Sequence, residues 1–512
     1  MRTSVLLLSA IVLAGCGNDS SKGSSLPTTC SCPGGSCNSD GVCVSRSDAG
    51  TPLTCDASEK PVGTSALPVE RVQKLGTFKV GETVGFDVPA NTASVTIVEQ
   101  ATSAPDFVVF KQSSSQTSFA FANTAVPLIV KDPDGNAIYD DNQQFPDDLS
   151  TLPAFFGSAS PATGTFTIPN TTAGLALVGQ SGLPAGRWSM IVSDYAYECT
   201  NPAASPISSD LSCPTGATDQ STYDVTVITK PAEAGAIPAA GTLDVAIYFV
   251  AATGEDSAGT AIPLLASTAA SDPDLGRMET TLRAIFAGAG ITVGNITYKD
   301  LPASVQAAYA TGVNVDETGA CGELSQLLKL ADAGNTLNIF FVSSFQAAGL
   351  QENQQIIGID GTIPGPSTIG GTVASGAAVT THDLRFGRAA CSGDLSIDCG
   401  ADETAYIIAH EAGHFLGLYH VTESGGTLFD PLDDSAPCPC STCKAADATD
   451  RCADASPPPA TNTEHQMTVA DCTQSPSCGG GDDLMFWILD RGSLGTLTSQ
   501  QQRVIRANPL VQ

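Results

Sequence analysis

Basic residues are scarce in this sequence. Its 512 residues include 22 Lys and Arg against 53 Asp and Glu, which gives a formal net charge of -31 at pH 7. Such a surface repels the phosphates of nucleic acids and the headgroups of anionic lipids, so we expect neither as a partner. The acidic residues are spread along the chain instead of forming one block, which is typical of a soluble exported protein.

Long apolar runs and several common catalytic motifs are also missing. After the N-terminal region, no stretch is long and apolar enough to predict a transmembrane helix. The sequence contains no G-x-S-x-G nucleophile elbow, no phosphate-binding P-loop and no dinucleotide-binding fingerprint. Chemistry based on those sites is therefore not expected.

The N-terminus has the features of an export signal. Arg2 is followed by the apolar run Val5–Leu13, which is too short to span a bilayer, and then by Cys16 in the string LAGC. This string resembles the lipobox of bacterial lipoproteins, which implies cleavage before Cys16 and lipid on its sulfur. We expect residues 1–15 to be a signal peptide and the protein to be lipid-anchored in the bacterial envelope, at the outer membrane. An ordinary secretory signal is the alternative, and surface exposure or release stays open.

Cysteine use agrees with export. The chain has 17 Cys, and an even number remains when Cys16 is set aside, so disulfides are the expected use. Close spacing favours the pairs Cys199–Cys213 and Cys391–Cys399, whereas the connectivity of the larger clusters cannot be read from sequence. The C-x-x-C string Cys440–Cys443 has the spacing of redox and zinc sites, but its four neighbouring cysteines favour disulfides.

The predicted fold class is α+β, with an all-β sandwich before a mixed, mostly parallel α/β domain. Residues 16–61 are rich in Ser, Gly, Pro and Cys and predict a tether with a small disulfide knot at Cys30–Cys43. Residues 62–230 alternate in short apolar runs separated by turns, which predicts a β-sandwich. Residues 231–241 form a linker of small residues and Pro, and 242–512 form the last domain.

Strands and helices alternate in this last domain. Thr242–Ala251 and Thr336–Phe345 predict buried strands, and Leu275–Gly290 carries apolar residues at helical spacing. The Gly-interrupted segment Gly370–Thr381 predicts an edge strand, to which an extended substrate could add antiparallel. Asp402–Leu418 predicts a helix that Asp402 caps and Gly417 ends.

That helix carries the string HEAGHFLGLYH. His410 and His414 are four residues apart on one helical face, so both imidazoles can reach one zinc ion, and His420 can return as the third ligand after the turn at Gly417. Glu411 lies beside them, where it can act as general base on a zinc-activated water. Three protein ligands leave one coordination position for water, which is the arrangement of catalytic zinc.

The whole string H-E-x-x-H-x-x-G-x-x-H resembles the metzincin clan of zinc peptidases, in which a Met-turn follows. The string GGDDLMFW is similar to that turn, so the resemblance implies that Met485 forms an apolar floor beneath the metal ligands. GLYH, the later FDPLDDSAPC and the cysteine-rich insertion resemble the pappalysin family within the clan. The resemblance implies one catalytic Zn²⁺ per chain and hydrolysis of peptide bonds in extracellular or envelope proteins.

Some features depart from the clan or leave alternatives open. Trp487 stands two residues after Met485, where several metzincins have a Tyr that can reach the zinc, so that role is not expected here. The acidic segment Asp430–Asp434 could bind Ca²⁺, as in relatives, or form a solvated loop. The alternative function is a surface-exposed adhesion lipoprotein whose peptidase-like domain is inactive.

Overall fold

The computed structural model describes the predicted sandwich region and the predicted last domain in separate ranges. These ranges are 36–37, 43–44, 71–102, 107–112, 118–122, 125–140, 162–194, 211–212, 221–255, 260–315, 319–332, 334–347, 355–391, 399–444, 451–452, 455, 464–473, 477–489 and 495–512. Cys16, the predicted signal peptide, the predicted pair Cys199–Cys213 and most of the predicted tether lie outside them. Within the tether, β1 (Ser36–Cys37) pairs antiparallel with β2 (Cys43–Val44).

The region after the tether consists of antiparallel sheets. One four-stranded sheet has the order β10-β5-β13-β3, another has β4-β11-β8-β9, and a three-stranded sheet has β12-β6-β7. The strands are β3 (Val72–Lys79), β4 (Thr83–Val88), β5 (Thr92–Ala101), β6 (Phe107–Gln112), β7 (Ser118–Ala122), β8 (Ala125–Lys131), β9 (Ala137–Asp140), β10 (Thr163–Ile168), β11 (Gly186–Asp194), β12 (Leu211–Ser212) and β13 (Thr222–Pro231).

The core of this region follows from alternation along the strands. Val95 and Ile97 of β5 are fully buried in the main hydrophobic cluster, together with Phe86, Phe166 and Trp188. Because successive side chains in a strand point to opposite faces, residues at every second position share that face. The other face of β5 contributes Val98, which packs in a small cluster with Ile228 of β13 and with Ile369 of the last domain.

A five-stranded sheet forms the centre of the last domain, with the order β17-β14-β19-β22-β21. The pairs of β14 with β17, β14 with β19 and β19 with β22 are parallel, and β21 pairs antiparallel with β22. The strands of this domain are β14 (Gly241–Phe249), β15 (Thr253–Glu255), β16 (Ala261–Pro263), β17 (Ile291–Asp300), β18 (Val313–Asn314), β19 (Thr336–Val342), β20 (Phe345–Gln346), β21 (Gly358–Asp360) and β22 (Ala377–Thr380).

The prediction of an edge strand at Gly370–Thr381 is wrong. The strand in that segment, β22, lies between β19 and β21, and its four residues are buried. Within the described residues β21 forms the edge of the sheet instead. The glycines that suggested an edge position lie before β22, where the chain turns; Gly376 has φ 156°.

The described helices are α1 (Thr172–Val178), α2 (Ala266–Ala269), α3 (Pro273–Gly288), α4 (Ala303–Ala308), α5 (Glu323–Leu328), α6 (Gly400–Phe415), α7 (Cys440–Cys443) and α8 (Ser499–Ala507), with a 3-10 turn at Arg388–Ala390. Among them α2 and α3 contact β17 of this sheet, α5 contacts β22, and α6 contacts both β21 and β22. All sixteen residues of α6 are buried. No described helix has the length and apolar character needed to cross a membrane.

Asp402 does not cap α6, contrary to the sequence-based expectation. The helix begins two residues earlier, after Cys399, and that position makes no side-chain cap hydrogen bond. Asp402 is instead fully buried in the first turn, where Arg277 of α3 donates to both of its carboxylate oxygens at 2.7 and 2.8 Å. The carboxylate therefore ties α6 to α3, a contact between distant residues that local sequence signals do not reveal.

The region of antiparallel sheets and the C-terminal helix α8 are in direct contact. Lys230 of β13 donates to the backbone carbonyl groups of Arg506, Asn508 and Val511, and Ser94 donates to that of Ala507. The segment 231–241 joins β13 directly to β14, with Ala232 and Ile237 buried. The domain limits 62–230, 231–241 and 242–512 stay predictions.

Candidate metal centre

Helix α6 and the turn after it bring three histidines together. His410 and His414 stand one turn apart, and α6 ends at Phe415. Gly417 has φ 114°, a conformation that favours glycine, and it redirects the chain. The Nε2 atom of His420 then lies 3.2 Å from that of His410 and 3.1 Å from that of His414.

The other ring nitrogen of each histidine has an oxygen partner. His410 Nδ1 lies 2.7 Å from the carbonyl oxygen of Leu484, His414 Nδ1 lies 2.8 Å from that of Leu418, and His420 Nδ1 lies 3.1 Å from a carboxylate oxygen of Glu423. A neutral imidazole that donates from Nδ1 presents a lone pair at Nε2. Three lone pairs therefore point into one small space.

This set of donors fits a zinc ion. Nitrogens about 2.0–2.1 Å from a tetrahedral zinc ion stand about 3.3–3.4 Å from one another, close to the spacings observed here. Burial, together with the His420 ring, lowers the pKa of His410 to about 3, so this imidazole is neutral and able to bind metal. Among the described residues, these histidines form one of two clusters with metal-binding geometry.

The second cluster, Cys391, Cys399 and Asp402, is not a metal site. Cys391 and Cys399 form a disulfide, the pair that their spacing predicted, and Asp402 is engaged by Arg277. Three more disulfides cross-link the insertion between His420 and Met485: Cys438–Cys472, Cys440–Cys452 and Cys443–Cys478. The two cysteines of the C-x-x-C string are thus bonded to distant partners and not to each other.

Glu411 lies beside the histidines and against the edge strand. Its side chain is 2% exposed, and within the described structure its Oε2 atom has no hydrogen-bond partner. Burial raises the pKa of Glu411 well above its usual value, and the nearby charge of Asp360 on β21 raises it further. A Cβ atom at Gly358 would stand 2.3 Å from Glu411 Oε1, so the carboxylate packs directly on the backbone of β21.

Met485 lies beneath the helix that carries the histidines. It is fully buried, and a Cβ atom at Gly413 would stand 2.4 Å from its Sδ. Asp483 Oδ1 accepts a hydrogen bond from the Met485 backbone at 2.7 Å, which closes the turn. Trp487 donates from Nε1 to the carbonyl oxygen of Met467 at 2.7 Å.

The acidic segment Asp430–Asp434 makes contacts within the protein. Asp430 accepts from Ser435, whereas Asp434 accepts from the Thr498 hydroxyl and from the backbone of Gln500 at the start of α8. Gln500 also donates to Asp433. Asp433 and Asp434 thus hold the N-terminus of α8, and among the described residues the acidic segment does not form a cluster with metal-binding geometry.

Several residues of the site had no clear sign in the sequence. Asp360 lies in a three-residue strand, and the Leu418 and Leu484 carbonyl groups act through the backbone, which carries no residue-specific signal. Glu423, three residues after His420, could have been found as a nearby carboxylate. The two histidines outside the motif, His382 and His465, each contact a carboxylate, of Asp383 and Asp471 respectively.

Comparisons with known proteins show no family for this chain. No protein-family model matches it, and no curated protein matches it. A family two carbohydrate esterase from Cellvibrio japonicus is 12% identical over 53% of this chain and 64% of the esterase chain, with a TM-score of 0.10. A carbohydrate esterase family 2 enzyme with its carbohydrate binding domain, from Corynascus thermopiles (Myceliophthora fergusii), is 10% identical over 58% and 68% of the two chains, also with a TM-score of 0.10. This chain thus spans less than two thirds of the Cellvibrio enzyme, and neither similarity shows a shared fold.

Proposed function

We propose that this protein is an exported zinc-dependent endopeptidase of the metzincin type, similar to pappalysins and anchored in the bacterial envelope by lipid on Cys16. The observation that carries the proposal is the convergence of the Nε2 atoms of His410, His414 and His420 beside the buried carboxylate of Glu411. The chemistry that zinc supplies in such a site is polarisation of a carbonyl oxygen and a lowered pKa for an adjacent water.

Glu411 holds and moves the proton in this reaction. Because burial raises the pKa of its carboxyl group, Glu411 can accept a proton from the attacking water and still return it to the leaving amine. The contact with Gly358 holds the carboxylate at the edge of the sheet, and the nearby Asp360 carboxyl group adds to the rise in the pKa of Glu411. The Nδ1 partners of the three histidines hold the rings in one orientation.

Removal of the base and removal of a ligand test this proposal. Glu411→Gln is expected to retain close to one zinc per chain, as for a catalytic site, because Glu411 is not among the three ligands. Its activity on a proteome-derived peptide library is expected to fall by about 10²–10⁴-fold or more. His414→Ala is expected to lose both zinc and activity.

His382→Ala provides a matched control, because the His382 side chain is 49% exposed and lies outside the histidine cluster. This variant is expected to keep its zinc and its activity. If the wild-type protein cleaves nothing in the library, or if Glu411→Gln cleaves as fast as wild type, the peptidase assignment fails and the adhesion function replaces it.

A further inference from the structure

A second group of buried acidic side chains lies inside the β-sheet region, away from the histidines. Glu99 of β5 is fully buried, and neither oxygen of its carboxyl group has a hydrogen-bond partner within the described structure. Because it is two residues from both Ile97 and Ala101, which belong to the hydrophobic core, its side chain points into that core. A bare carboxylate is strongly unfavourable there unless a positive charge or a proton compensates it.

Asp194 approaches the same place from the other sheet. It is the last residue of β11, is fully buried, and accepts a hydrogen bond from the Tyr223 hydroxyl at 2.7 Å. Tyr223 is two residues from Val225, which is the cross-strand neighbour of Glu99 on β13. The hydroxyl of Tyr223 therefore holds Asp194 next to the position that Glu99 occupies.

The strands beside these residues touch each other. Glu99 is paired with Gly164 on β10, and Asp194 is paired with Ala125 on β8. A Cβ atom at Gly164 would stand 2.5 Å from the carbonyl oxygen of Ala125, so the backbones of the two sheets approach closely at this point. Glu99 and Asp194 thus flank one contact between the sheets, and the Ala125 carbonyl oxygen lies at that contact.

Glu99 and Asp194 carry charges of the same sign. Asp194 is the charged group that acts on Glu99, and it raises the pKa of Glu99 in addition to the effect of burial. A proton on Glu99 would remove its own charge but would leave the charge of Asp194 in place. A cation satisfies the carboxylate oxygens directly and balances both charges.

We propose that Glu99 and Asp194 bind a hard divalent cation of the calcium class between the two sheets, with Tyr223 orienting Asp194. Calcium takes six to eight oxygen ligands in flexible geometry and accepts carboxylates through one or both oxygens as well as backbone carbonyls. Magnesium is less suited, because it keeps several waters in a strict octahedron. This site is independent of the proposed peptidase function.

Calcium binding by the metal-stripped full chain tests the proposal. Addition of CaCl₂ to the wild-type protein is expected to raise the midpoint of thermal unfolding by on the order of 5 °C. Glu99→Gln has nearly the same shape without the charge and is expected to abolish this shift. Asp87→Asn, an exposed carboxylate on β4 of the same region, is the matched control and is expected to retain it. His414→Ala is expected to retain it too, which separates this site from the zinc centre.

Terbium provides a readout that does not depend on how the variants fold. Tb³⁺ that replaces calcium beside Tyr223 is expected to emit after excitation of the tyrosine, and CaCl₂ is expected to quench that emission in the wild-type chain. The proposal is overturned if calcium neither shifts the unfolding midpoint nor displaces Tb³⁺, or if Glu99→Gln shows the same shift as wild type. A shift with MgCl₂ as large as that with CaCl₂ would overturn the calcium assignment.

Discussion

The Nδ1 atom of His410 lies 2.7 Å from the carbonyl oxygen of Leu484, the residue that precedes Met485. The turn at Leu484 and Met485 thus orients the His410 ring through a backbone carbonyl group. The same turn places Met485 beneath the helix that carries His410. Tyr406, one turn before His410, also donates to the Leu484 carbonyl, at 3.1 Å. The position of the histidine cluster therefore depends on a segment more than seventy residues further along the chain.

Asp483 makes the stability of this turn depend on pH. Burial raises its pKa to about 7, so between pH 4 and pH 7 the folded protein holds a proton that the unfolded chain has released. Asp483 therefore contributes stability at low pH that is lost as the pH rises through this window. Asp483→Asn keeps the acceptor for the Met485 N–H and does not titrate.

We expect the free energy of unfolding of wild type, relative to Asp483→Asn, to fall by about 2–3 kcal/mol between pH 5 and pH 8. Urea unfolding of both proteins at several pH values measures this difference. A difference that is constant with pH would contradict the raised pKa.

Gly358→Ala is expected to remove activity without removing the metal. A Cβ atom at this position would stand 2.3 Å from Glu411 Oε1 and 2.8 Å from its Cδ and Cγ atoms, so the Glu411 side chain has to move away from β21. Displacement of the base is expected to reduce kcat/KM by about 10²–10⁴-fold, while zinc content stays that of wild type. Gly276→Ala on α3 is the control, because nothing lies within 4 Å of its added Cβ. Equal loss of activity in both variants would rule out this role for Gly358.

Asp402→Ala is expected to destabilise the last domain. It leaves the Arg277 guanidinium, whose side chain is 21% exposed, without its bidentate partner, and it also removes the acceptor for the Thr281 hydroxyl. Loss of one partner of a buried ion pair costs about 3–5 kcal/mol. Asp87→Ala breaks the exposed pair with Arg187 and is expected to change stability little. Urea unfolding measures the free energy of unfolding of both variants. An equal loss in the two would contradict a stabilising role for the buried ion pair.

Cys16→Ser is expected to release the protein from membranes. The prediction rests on LAGC after a short apolar run, since a lipidated cysteine would provide the anchor. Fractionation of cells that express wild type or Cys16→Ser measures how much of each protein is in the membrane fraction. If the variant remains in the membrane fraction, the lipoprotein assignment is wrong.

Local spacing was sufficient for the part of the site that lies within eleven consecutive residues, His410–His420. A helix places residues four apart on one face, and a glycine with positive φ allows the return of the third ring, so both features can be read from the sequence. Spacing also identified the disulfide Cys391–Cys399, because its loop is short.

Relationships between distant residues were decided by tertiary structure. The edge of the five-stranded sheet is Gly358–Asp360 and not Gly370–Thr381, because strand order depends on how a whole sheet is assembled and not on the composition of one strand. Asp402 is an ion-pair partner of Arg277 and not a helix cap, because both side chains become buried only when α3 packs on α6. Two more features arise in the same way: the connectivity of the insertion cysteines and the burial of Glu99 opposite Asp194. Each depends on side chains that approach each other only after folding. Alternation along a strand reveals which face is buried, but not which residues lie across from it.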